Sequence, residues 1–274
     1  MLLLFLAALS GALAGLVCGS TGVLINRMRL TTIVFAVAHG ALAGAAMSLA
    51  LDTDPLATGM LIALLTAVVL GPLADSLNIP RDMVSMSLFS LYNALAFIFI
   101  AFSPGAALAA ERIGELLWGS VLAVTWSYLI ILVALTGFYL LFVGVFWRRL
   151  LPIFFDRRLA EAEGLNTRLY SYALIALAGV VIAFSLRIVG GFLVFSLLYL
   201  PAVSSLQLSE RMERIFLLSA IVGAGAAASG VFLSFLLDLP TGSSIVVCAV
   251  VILLGASILA YLKRRAVLRS LEDK

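Results

Sequence analysis

A chain of 274 residues that is 64% hydrophobic and only 11% charged is not balanced like a water-soluble domain. Its net charge of +3 calls for no nucleic-acid partner. The apolar runs reach roughly 17–25 residues, are unbroken by charge and are rich in Gly and Ala, so each is long enough to cross a hydrocarbon core of about 30 Å as a helix, and spanning strands are excluded. The composition predicts an all-α, polytopic transmembrane helical bundle solvated by lipid, a single domain over residues 1–274.

In chain order, nine spans are predicted at 2–25, 32–51, 56–75, 83–103, 120–146, 169–187, 190–207, 213–237 and 243–262. The first opens at Leu2 with no basic residue before it. It therefore reads as an uncleaved helix, since a signal peptide begins with positive charge and has a shorter apolar core. The charges in the gaps then set the topology. Arg27 and Arg29 follow the first span, Asp52 and Asp54 the second, Arg81 the third, and Glu111, Arg112 and Glu115 the fourth. Arg148, Arg149, Arg157, Arg158 and Arg168 share the longest gap, Arg187 marks the next, Arg211 and Arg214 the next, and Asp238 the last. Lys263, Arg264, Arg265, Arg269 and Lys274 fill the tail. Of the 17 basic residues, all but Arg112 and Arg187 occupy every second gap. Basic gaps stay in the cytoplasm, which places the N-terminus outside, the C-terminus inside, and the number of crossings at an odd nine.

Several segments depart from plain spans. Residues 104–119 open with Pro104-Gly105 and continue as a short outer-face helix. Residues 187–191 join two apolar runs with almost no loop, the mark of a broken or re-entrant helix built around Gly190 and Gly191. Pro201 frees a backbone carbonyl in the following run and predicts a kink. Gly11, Gly15, Gly19, Gly40 and Gly44 recur at four-residue spacing, which in lipid favours close packing of helices within one subunit. Cys18 and Cys248 lie in apolar runs as packed small hydrophobes. The polar stretch at about 154–168 contains a good helix former ended by Gly164, on the cytoplasmic side. It is either a surface helix bearing orientation charges or a docking element.

The order of several short motifs adds a resemblance. Phe155-Asp156-Arg157-Arg158-Leu159-Ala160-Glu161-Ala162-Glu163-Gly164-Leu165 is similar to the cytoplasmic loop of zinc/manganese/iron-type ABC importer permeases. Val189-Gly190-Gly191-Phe192-Leu193-Val194, Leu200-Pro201-Ala202 and Leu237-Asp238-Leu239-Pro240-Thr241-Gly242 continue the likeness. So do Glu115-Leu116-Leu117-Trp118-Gly119-Ser120-Val121-Leu122 and Ala38-His39-Gly40-Ala41-Leu42-Ala43-Gly44. The resemblance implies a multi-pass permease of the bacterial inner membrane that pairs with a second permease subunit, most simply a second copy. It also implies a cytoplasmic ABC ATPase and an extracytoplasmic solute-binding protein as partners. The chain has no Gly-x-x-x-x-Gly-Lys-Ser/Thr phosphate loop, so no cofactor is expected on it and ATP belongs to the partner. Leu159, Ala160, Ala162 and Gly164 are the expected docking face, flanked by Arg157, Arg158, Glu161 and Glu163.

His39 is the only histidine and falls about 10 Å inside the second span at 1.5 Å per residue. An ionisable group at that depth faces the bundle interior or a water-filled path. It is either a packed imidazole bonded to a helix carbonyl or a ligand for a transition metal in transit. The resembled family places an acid one turn earlier, where this chain has Val34 and Phe35. That departure leaves open weaker coordination, help from another helix, or a cargo such as a metal chelate or small solute. Ser204, Ser205 and Gln207 are path candidates that alternatively bond within their own helix. The outer acids Asp52, Asp54, Glu111, Glu115 and Asp238 are either solvated loop charges or a cation-attracting mouth. The spans contain almost no acidic or basic residues, which argues against an ion-coupled secondary transporter. No His-Glu-x-x-His motif or paired intramembrane carboxylates argue for an intramembrane enzyme.

Overall fold

The computed structural model describes residues 2–103 and 125–272, with side chains described except at 187–189, 191–193 and 267–272. Ten helices occupy them: α1 (Leu2–Arg27), α2 (Ile33–Leu51), α3 (Pro55–Leu77), α4 (Arg81–Phe102) and α5 (Trp126–Phe155), then the short α6 (Arg157–Ala162). The remainder are α7 (Thr167–Val189), α8 (Gly191–Leu208), α9 (Met212–Leu237) and α10 (Thr241–Glu272). Eight are long and apolar enough to cross a membrane; the part of α8 from Val194 to Leu208 is a shorter apolar helix. At 18 residues, α8 is roughly 27 Å long, slightly less than a hydrocarbon core. The outer-face helix expected over 104–119 and the beginning of the fifth span lie outside the described residues.

Two boundaries differ from the sequence expectation. α5 continues through Arg148, Arg149 and Pro152 to Phe155, well past 146. α10 continues past 262 through Lys263, Arg264 and Arg265 to Glu272. In both cases charge marks where hydrocarbon ends, while Arg and Lys remain good helix formers and extend the helix into water. The α7–α8 junction is a single residue, Gly190, at φ 89° and ψ 156°, a conformation essentially closed to residues with a Cβ. α8 then runs as one helix through Pro201.

α1 is the hub, packed against α9, α8, α7 and α5. Its small residues are what allow this. A Cβ at Gly15 would strike the backbone carbonyl of Gly223, and one at Gly223 would strike that of Gly15. A Cβ at Gly22 would run into the Leu198 carbonyl, and one at Gly19 would lie 3.2 Å from Pro201 Cβ. Gly44 likewise abuts Thr58 and Gly59 of α3. The glycine spacing thus serves packing within the subunit. In lipid such crossings are held by dispersion across a close fit, because the surrounding tails are as apolar as the helices. Ser219 Oγ, donating to Gly19 O at 2.6 Å, adds only about 0.6 kcal/mol by the average for such bonds. Shape therefore dominates over polar bonding here. Cys18 is buried and its thiol donates to Ser185 Oγ at 3.2 Å, the packed role expected for it.

Candidate functional site

Two regions of the fold gather polar chemistry: one end of the bundle around α6, and a cluster around His39.

The end of the bundle is built by capping. Asp156 is the N-cap of α6, accepting from Arg158 N at 2.8 Å and Leu159 N at 3.3 Å. Gly164, at φ 84°, closes the turn after α6, its N–H donating to Glu161 O at 3.0 Å. Asn166 then caps α7 through Leu169 N at 3.1 Å. Two N-caps, Asp156 and Asn166, and the stop at Gly164 between them set α6 off as a separate rod between the ends of α5 and α7. The rod is tied to α7 by a triangle in which Arg157 Nε donates to Glu161 Oε1 and to Thr167 Oγ1, both at 3.1 Å. Thr167 Oγ1 also donates to Glu161 Oε1. The Thr167 hydroxyl and the Arg157 guanidinium together hold the Glu161 carboxyl below the usual carboxylate range. The Arg157–Glu161 pair is exposed, so it orients the rod more than it stabilises the fold.

Of the expected docking residues, Leu159, Ala162 and Gly164 face outward, and Leu159 is 62% exposed. Ala160 is fully buried and seats the rod against the bundle. Arg158, Glu161 and Glu163 are exposed, with Arg157 half-buried. Beside the rod is a groove of about 720 Å³ lined by Arg27, Arg29, Arg81, Arg157 and Arg158 among others. Residues from three separate basic gaps therefore meet at one end of the molecule. Arg81 reaches Asp75 at 3.4 Å and stacks over the Tyr172 ring, whose hydroxyl donates to Asp75. The contributions of Thr167 and Tyr172 were not visible as motifs; only folding brings them to Glu161 and Asp75.

His39 sits in an aromatic collar. Its ring meets Phe89 of α4 edge-on at 4.4 Å and tilts toward Phe195 of α8 at 6.4 Å. Phe35, one turn earlier on α2, stacks on Phe195 at 4.7 Å. His39 Nδ1 lies 3.0 Å from Phe35 O. A carbonyl only accepts, so Nδ1 carries the proton in this bond and the neutral ring keeps its lone pair on Nε2. The imidazole is half-buried: it makes the carbonyl bond of a packed histidine and retains a ligating nitrogen. Among the described residues, no three of His, Cys, Asp and Glu gather as a metal site. Ser204 and Ser205 are buried and donate to Leu200 O at 2.7 Å and Pro201 O at 2.8 Å, within their own helix. Gln207 is exposed. The collar's Phe89 and Phe195 come from helices distant in sequence, and no spacing announced them.

At the opposite end, Asp52 caps the C-terminus of α2 and Asp238 that of α9, both in the left-handed conformation. Asp54 is the N-cap of α3, accepting from Ala57 N at 3.0 Å. Glu111 and Glu115 lie outside the described residues.

Comparison with known proteins finds similarity along almost the whole chain. The ABC 3 transport family model matches residues 1–260. The chain is 28% identical to the manganese import system permease protein ScaB of Streptococcus gordonii, over 94% of this chain and 93% of that one. It is 25% identical to the high-affinity zinc uptake system membrane protein ZnuB of Buchnera aphidicola, over 90% and 94%. Among solved structures, PsaBC from Streptococcus pneumoniae in complex with Fab superposes with a TM-score of 0.79 at 27% identity, covering 93% of this chain and 91% of that one.

Proposed function

This chain belongs to the ABC 3 transport family, and from that premise we propose that it is the permease subunit of an ATP-driven importer for a transition-metal cation such as manganese, zinc or iron. The observation that carries the reading is α6: a capped rod at the basic end of the bundle, anchored by Ala160 and presenting Leu159 outward. A separate ATPase docks there and supplies the energy, while this subunit performs no covalent chemistry. The groove that unites Arg27, Arg29, Arg81, Arg157 and Arg158 supports placing that end in the cytoplasm. The N-terminus then lies outside, with Asp52, Asp54 and Asp238 at the outer mouth, where a binding protein delivers the cargo. Two such subunits, most simply two copies, enclose the path. The names of the relatives, which import manganese and zinc, support a metal cargo. The collar of Phe35, Phe89 and Phe195 around His39, with no carboxylate against it among the described residues, favours a second reading in which the metal travels as a chelate.

Orientation is the direct test. In a variant lacking Cys18 and Cys248, Glu163→Cys is expected to react with a membrane-impermeant thiol reagent only when the cytoplasmic face is opened. Labelling from outside intact cells would overturn the reading.

A further inference from the structure

α2 and α4 lie side by side and point the same way. Thr32 Oγ1 donates to Asp82 Oδ1 at 2.6 Å, and His39 meets Phe89; both pairs are offset by 50 residues. One turn beyond Phe89 on the same edge of α4 stands Asn93, a residue that no motif singles out. Its Nδ2 donates to Phe89 O at 3.0 Å. Because that carbonyl only accepts, the amide presents its NH2 to it and keeps Oδ1 without a partner among the described residues. His39 repeats the arrangement, with Nδ1 committed to Phe35 O and Nε2 left over.

Both side chains are half-buried, so the helices around them leave part of each uncovered. Asn93 is twelve residues into α4, roughly 18 Å from its start and near the middle of a hydrocarbon core of about 30 Å. Lipid offers no donor for an amide oxygen or an imidazole lone pair, and such groups within spans face the protein interior or water. Ser90, exposed between Phe89 and Asn93 in sequence, continues the polar edge, although its hydroxyl already bonds Met86 O at 3.1 Å.

Resting on the import reading above, we propose that Asn93 lines the cation path together with His39 and is a specificity-determining residue of transport. The pair offers a hard amide oxygen and a borderline imidazole nitrogen, both neutral. Carboxyl and amide oxygens suit manganese, and imidazole suits zinc and iron. Two neutral donors hold a partly hydrated divalent cation without trapping it, as passage requires. Phe35 and Phe89 give the imidazole no counter-charge, and one turn beyond Phe89 on α4 Asn93 Oδ1 offers an oxygen that no hydrogen bond among the described residues engages.

The test uses the complete transporter in membranes, with Mn²⁺ and Zn²⁺ as probes. Asn93→Leu is expected to slow initial uptake of both ions about tenfold at equal membrane abundance, the loss of one polar contact made in passage. Asn93→Asp is expected to raise the Mn²⁺:Zn²⁺ uptake ratio by about threefold or more, because it adds a hard, charged oxygen. Should Asn93→Leu fail to accumulate, Asn93→Cys in a background lacking Cys18 and Cys248 decides the matter. A hydrophilic thiol reagent is expected to label it well above Leu254→Cys, a mid-helix residue exposed on α10. Wild-type rates and ratios in both Asn93→Leu and Asn93→Asp overturn the proposal, as does labelling of Asn93→Cys no greater than that of Leu254→Cys. Failure of the import reading would look different: the wild-type transporter would move neither ion.

Discussion

Leucine at Gly15 is expected to remove the folded protein from the membrane. A side chain there meets not a movable rotamer but the Gly223 backbone carbonyl, and α9 cannot withdraw without losing its own contact at Gly15. Overpacking against side chains costs about 1–3 kcal/mol, and a clash between two backbones belongs at or above the top of that range. Because α1 also packs on α5, α7 and α8, a displaced α1 unseats most of the bundle. Gly137→Leu is the matched control, since nothing lies within 4 Å of a Cβ at that position on α5. Size-exclusion profiles and thermal unfolding in detergent check the expectation: Gly15→Leu aggregates or melts well below wild type, and Gly137→Leu does not. Equal behaviour of the two would mean that the α1–α9 crossing is not as close as described.

Aspartate at Leu159 is expected to uncouple transport from ATP while leaving the bundle intact. Leu159 is exposed on a rod whose other side, Ala160, is sealed against the bundle, so its apolar surface is available to a partner. Placing a carboxylate in a docked apolar contact leaves a charge desolvated and unpaired, and uptake is expected to fall more than tenfold. Gly164→Ile acts on the same rod by another route. Space is open around Gly164, but its φ of 84° is left-handed, and a β-branched residue strains it by about 1–2 kcal/mol and loosens the end of α6. ATP-driven uptake is expected to drop in both variants with membrane abundance unchanged. Wild-type uptake in both would contradict the assignment of α6 as the docking element.

How far the sequence reaches depends on the kind of information. The helices were legible because lipid demands long uncharged runs, and α6 because its Ala, Glu and Leu favour a helix that Gly164 stops; the Asp156 cap emerged only in the fold. Helix ends were not legible, at Phe155 and Glu272, because charge reports the water boundary and says nothing about where hydrogen bonding stops. The break at Gly190 was readable from two apolar runs meeting without a loop. The interior direction of Ser204 and Ser205 was not, since a nearly all-apolar α8 has no polar face to orient it. His39 stood out as a lone imidazole in an apolar run, whereas Asn93 did not, because its meaning comes from the parallel register of α2 and α4. Phe195 joins that site only through tertiary packing.

We propose that this bundle moves metal on energy supplied by a separate ATPase docked at α6. Proteoliposomes containing the complete transporter, loaded with Mn²⁺ or Zn²⁺ and its binding protein on the outer side, test this most directly. The expected result is metal accumulation in the lumen that requires luminal ATP, on the side of the ATPase, and vanishes when the ATPase is left out. Accumulation driven by an ion gradient, with no ATPase present, would contradict it.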